Sequence, residues 1–151
     1  MSFRPAVTAR RTRTSKEITA ATYQILPSDH GKTLLLKRPA GMTLTLPADT
    51  LFFGFTVDLL VRATFTGTWE VTAAADGDLW FGGVANISAT ATKSDWFKPN
   101  GSSNDTFKAD SDAKGRFIGS KLTFILMGTN EWHVSGQTLC AGTPVTAFAD
   151  T

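Results

Sequence analysis

Residues 42–46 read Met-Thr-Leu-Thr-Leu, with Met42, Leu44 and Leu46 on one side of an extended backbone and the two threonines on the other. A period of two marks a strand buried on one face only. The same rhythm runs through residues 55–65, where Phe55, Val57, Leu59, Val61 and Ala63 alternate with Thr56, Asp58, Leu60, Arg62 and Thr64. Further strand-like runs at 18–26, 32–37, 69–75, 79–87, 116–127 and 131–135 are bounded by Gly, Pro, Asp or Asn. No stretch carries a convincing apolar stripe at helical spacing.

The turn residues predict how the runs are joined. Pro39-Ala40-Gly41 predicts a sharp antiparallel reversal between 32–37 and 42–46, and Thr66-Gly67 another before 69–75. Asp76-Gly77 predicts a hairpin into 79–87, and Gly128-Thr129-Asn130 a last hairpin. Gly82-Gly83 inside a strand pattern predicts a bulge or the close approach of another backbone. Residues 88–113 lose the pattern and read as a long loop carrying Trp96 and Phe97. About eight to ten strands joined by such turns predict an all-β fold, an antiparallel β-sandwich or jelly-roll-like barrel.

Charge changes the picture at one end. A chain of 151 residues that is 42% hydrophobic and 19% charged has the size and composition of one globular domain. Residues 1–16 hold Arg4, Arg10, Arg11, Arg13 and Lys16 and no acid. Removing those five from the 15 Lys and Arg leaves 10 against 13 Asp and Glu, so the remainder carries a net −3. This divides the chain into a basic arm, residues 1–17, and a β domain, residues 18–151. Phe3 and Val7 are too little apolar surface to order the arm alone, so it is expected to be extended and to order against a partner. The partner class is an acidic protein surface, with Phe3, Arg4, Arg10, Arg11, Arg13 and Lys16 as the contacting residues. Nucleic acid is disfavoured because the charges have no interleaved aromatics, and no apolar run is long enough to cross a membrane as a helix.

Catalytic motifs are not recognisable. His30, His133 and Cys140 have no spacing that suggests a metal or a Cys–His site. The run from Asp110 to Gly115 begins like a calcium loop, but Lys114 stands where an oxygen ligand is needed and Lys121 where the closing Glu should be. No phosphate-binding glycine loop or Gly-X-Ser-X-Gly elbow occurs. The expectation is a non-enzymatic protein without cofactor or metal. Trp69, Trp80, Trp132, Phe65, Phe81 and Phe124 fall in strand runs and are read as core or subunit-interface residues. Trp96 and Phe97 are read as an outward or subunit-contact loop, with stacking on a sugar ring as the alternative.

The order of the motifs resembles that of small virion-surface proteins of tailed bacteriophages, chiefly capsid decoration (cement or head-fibre) proteins and related fibre-tip β domains. The residues that carry it are Thr22-Tyr23, then Asp29-His30-Gly31-Lys32 leading to Leu34-Leu35-Leu36. After these come residues 41–47 (Gly-Met-Thr-Leu-Thr-Leu-Pro) and Gly54-Phe55-Thr56-Val57, and finally residues 121–136, which end in Trp132-His133-Val134-Ser135-Gly136. The resemblance implies an all-β homotrimer, non-enzymatic, on the capsid surface of the virion. It implies the major capsid protein as partner and residues 4–16 as the anchor. The absence of a heptad stalk or collagen-like repeat argues for a compact knob over a long fibre. The alternative within the same resemblance is a carbohydrate or receptor-binding module of a tail tip or fibre.

Overall fold

The computed structural model describes residues 14–48, 52–75 and 77–150. Their strands are β1 (Ser15–Ile18), β2 (Thr22–Gln24), β3 (Thr33–Leu36), β4 (Met42–Thr45), β5 (Thr56–Val61) and β6 (Trp69–Thr72). They continue as β7 (Leu79–Ser88), β8 (Ser94–Phe97), β9 (Thr106–Ala109), β10 (Lys121–Gly128), β11 (Glu131–Cys140) and β12 (Phe148–Ala149). Two sheets pack face to face as a β-sandwich. One has the order β1-β3-β5-β10-β11-β7-β8 and the other β12-β9-β6-β4-β2.

The sandwich was expected, but the pairing corrects the antiparallel, jelly-roll reading. Of the ten strand pairings among the described residues, five are parallel: β1 with β3, β3 with β5, β2 with β4, β4 with β6, and β7 with β11. From β1 to β6 the chain crosses from one sheet to the other at every step, so it lays down three stacked two-strand rungs. The run 18–26, read as one strand, is therefore two short strands in different sheets. The reversals at residues 39–41 and 66–67 join strands that face each other across the core, not side by side. Asp76 lies outside the described residues, and the strands before and after it, β6 and β7, again belong to different sheets.

Close stacking of the rungs explains two of the turn glycines. The corner at Pro39–Gly41 lies directly on the corner at Thr66–Thr68, with the Met42 N–H donating to the Thr68 carbonyl at 3.0 Å and the Thr66 N–H to the Pro39 carbonyl at 2.8 Å. A Cβ on Gly67 would stand 2.2 Å from the Ala40 carbonyl oxygen, and one on Gly41 2.4 Å from that of Thr68. Both obstacles are backbone, so neither corner tolerates a side chain.

The second half closes the stack. β10 and β11 form the expected hairpin, with Asn130 taking the left-handed turn conformation (φ 57°), and β10 pairs antiparallel with β5 to bind the two halves together. The core between the sheets is aromatic. Trp69, Trp80, Trp132, Phe55, Phe65, Phe107 and Phe124 are all fully buried, with edge-to-face contacts such as Trp80 on Phe124 at 5.1 Å and Phe55 on Trp132 at 6.2 Å. Phe81, grouped with these in the sequence, is half-buried on the outer face. The stretch 88–113 is not a loop throughout, since it contains β8 and β9.

Candidate functional site

Phe3, Arg4, Arg10, Arg11 and Arg13 lie outside the described residues. Lys16, assigned from the sequence to the arm, is instead a strand residue. Ser15–Ile18 runs parallel to Thr33–Leu36, and the Thr33 N–H donates to the Thr14 carbonyl at 3.1 Å. β1 thus begins at Ser15, two residues before the boundary at residue 17.

A buried carboxylate holds that junction. Asp29 sits in a single 3-10 turn, Pro27–Asp29, and its side chain has no solvent exposure. The Tyr23 hydroxyl donates to its Oδ2 at 2.6 Å and the Leu26 N–H at 3.1 Å, while Lys32 Nζ lies 3.4 Å and Lys16 Nζ 3.6 Å from Oδ1. Lys16 also donates to the Tyr23 hydroxyl at 2.5 Å and stands over the tyrosine ring, 4.7 Å from its centre. Burial alone would push the Asp29 carboxyl up. The bonds from Tyr23 and Leu26 and the two ammonium groups outweigh it, and they hold the carboxyl below its ordinary range. The bond to Tyr23 likewise raises Lys16. Three segments, β1, β2 and the turn before β3, are therefore tied to one anion.

Next to this latch the end of the sandwich is apolar and open. The His30 ring accepts the Thr56 N–H at Nδ1 (3.1 Å) and packs against Phe52 and Phe55, at 4.9 and 5.6 Å between ring centres. The Gly54 N–H donates to the Leu126 carbonyl at 2.7 Å, which sets Phe53 beside the end of β10. Phe52 is 55% exposed, Phe53 63% and Met127 44%. The parallel register puts the starts of β1, β3 and β5 and the end of β10 at this same end. The arm therefore leaves the fold on the pole that carries the exposed phenylalanines. In the sequence, residues 48–53 fall between the strand runs 42–46 and 55–65, and nothing there gives these rings a role. Their only signal was a Phe-Phe pair in a segment that a solvated loop would fill with polar residues.

The structure separates Trp96 from Phe97. Both lie on β8, at the far edge of the larger sheet from β1. Phe97 pairs with Val84 and packs against the core. Trp96 points outward, 63% exposed. Among the described residues no group of His, Cys, Asp and Glu is arranged to hold a metal ion. Asp110 and Asp112, from the calcium-like run, pair with Lys114 and Arg116. Cys140 is buried, and burial pushes its thiol up, away from the reactive thiolate. No helix among the described residues is long and apolar enough to cross a membrane. A scan of protein-family models and a search of curated proteins find no match to this chain.

Proposed function

We propose that this chain is a structural, non-enzymatic protein of a bacteriophage virion, a decoration protein that binds the outer surface of the capsid as a homotrimer. The motif order described above supplies the class of partner. The observation that carries the attachment is the coincidence, on one pole, of the root of an arm with four arginines (Arg4, Arg10, Arg11 and Arg13) and the exposed rings of Phe52 and Phe53 with Met127. Cationic residues that steer toward an acidic shell and apolar side chains that dock on it are complementary parts of one contact. Asp29 secures the root of the arm by holding Lys16 in the first rung.

The mechanism is thermodynamic. A protein that binds the assembled shell and not its dissociated subunits stabilises the shell by mass action, in proportion to RT ln(1 + [L]/Kd). Three arms on one trimer raise the avidity through effective concentration, so each contact can be weak.

Particles made without this chain provide the test. Full-length protein is expected to occupy them, and a chain lacking residues 1–13 to remain folded and fail to bind. That truncation leaves Lys16 and the first rung intact. Full occupancy by the truncated chain, or by a Phe52→Ser/Phe53→Ser double variant, contradicts the assignment. High salt is expected to weaken attachment, because exposed charge pairs are screened.

A further inference from the structure

The Trp96 ring is held in place. A Cβ on Gly83 would lie 2.6 Å from its Cε2 and Cζ2 and 2.7 Å from its Nε1, so the indole rests directly on the backbone of β7. Gly83 does not have a positive φ. A left-handed backbone is therefore not what requires glycine there, and room for the ring is. The cross-strand partner of Trp96 is Ala85, another small residue. The other three tryptophans are at most 1% exposed. A fixed indole with an open outer surface is thus a singular feature of this chain, and it lies on an edge strand where packing does not demand an aromatic.

Within β8, β7 and β11 the outward neighbours of Trp96 are uncharged, and one cation, the exposed Lys98, stands just past the end of β8. Alternation along the strands, with Trp80, Val84 and Asn86 turned inward, puts Gly83 and Ala85 on the outer face of β7. Register then places Ser135 beside Gly83 and Gln137 beside Ala85 on β11, and Ser94 two residues from Trp96 on β8. The result is an aromatic shelf flanked by two hydroxyls and an amide. It spans β8, β7 and β11, or roughly 10 Å at the ~4.8 Å spacing of strands.

We infer that this shelf is a saccharide-binding site whose ligand is a neutral oligosaccharide with a pyranose ring stacked on Trp96. A pyranose presents a face of C–H groups to an aromatic ring and a rim of hydroxyls to neighbouring donors and acceptors, which is the pairing this patch offers. A nucleic-acid base could also stack, but its phosphates need a continuous cationic track, and β8 is flanked only by the separated Lys93 and Lys98, with Asp95 between them. The site lies six strand spacings from β1 along the same sheet, roughly 29 Å. A chain anchored through its arm would therefore carry the shelf at the opposite edge. The inference does not depend on that anchoring.

The test uses purified full-length protein titrated with soluble β-1,4-linked oligosaccharides of glucose and of N-acetylglucosamine and α-1,4-linked oligosaccharides of glucose, followed by calorimetry and tryptophan emission. Saturable binding to at least one of them is expected, with a change in emission. Trp96→Ala is expected to weaken it by about tenfold or more and Trp96→Tyr by no more than about threefold. Gln137→Ala, which leaves the ring and its seat untouched, is expected to weaken it by about threefold. Circular dichroism of each variant separates loss of binding from loss of fold. No binding to any of the three sugars overturns the inference, as does binding that survives Trp96→Ala. A further overturning result is an oligomer that ignores the sugars and dissociates on Trp96→Ala, since Trp96 would then face a second copy of this chain.

Discussion

The two halves of the sandwich are built on different rules. From β1 to β6 the strands are three to six residues long, parallel within each sheet, and stacked corner on corner. From β7 to β12 they reach ten residues, and hairpins and antiparallel pairs close the stack around one long parallel pair, β7 with β11. The proposed functions divide along the same line. The arm leaves from the first rung, held by a buried carboxylate, whereas the Trp96 shelf is on β8, the edge strand of the closing half. In the rungs, backbone meets backbone and leaves no slack. At the shelf, backbone meets the ring of an edge-strand side chain.

That difference can be broken at its two glycines. Gly67→Val drives a side chain into the Ala40 carbonyl and is expected to cost about 3 kcal/mol or more in chemical denaturation. Retention of wild-type stability would contradict the stacked-rung account. Asp29→Ala comes next. It leaves Tyr23, Lys16, Lys32 and the Leu26 N–H without their shared partner, and is expected to cost about 2–3 kcal/mol. Gly83→Ala presses on the seated side of the Trp96 ring and on no backbone, and is expected to cost about 1 kcal/mol. Trp96→Ala should change stability by no more than about 0.5 kcal/mol, since little of that ring is buried.

The Asp29 latch has a sign in pH. Its carboxyl is held below the unfolded value, so its contribution is fully present above about pH 4 and is lost as pH falls through the depressed folded value. The stability gap between wild type and Asp29→Asn should therefore be constant near neutrality and narrow in acid. A gap that widens in acid would show that Asp29 is not held as an anion.

Much of this was legible in the residues. The period of two in residues 42–46 and 55–65 is the burial pattern of β4 and β5, and the Gly128–Asn130 turn is the one that joins β10 to β11. What alternation cannot report is the partner. Leu34 and Leu36 bury one face of β3 whether the next strand lies beside it or across the core, so a Pro-Gly corner reads alike as a hairpin or as a crossing between sheets. The clue was the second corner at Thr66-Gly67, whose glycine makes sense only once the first is stacked on it. β8 was missed because Ser94-Asp95-Trp96-Phe97 has one outward aromatic and one inward, which looks like a loop until β7 is placed alongside. The role of Asp29 was not legible, because nothing local in Ser28-Asp29-His30-Gly31 indicates that Lys16 and Tyr23 return to it.

The most direct test of the attachment reading is to image virions by cryo-electron microscopy and dock this fold into the decorated density. The account predicts the fold on the capsid, with Phe52, Phe53 and Met127 against the shell and the Trp96 edge away from it. Density on the tail, or a fold seated on the shell by its Trp96 edge with the phenylalanine pole in solvent, would contradict it.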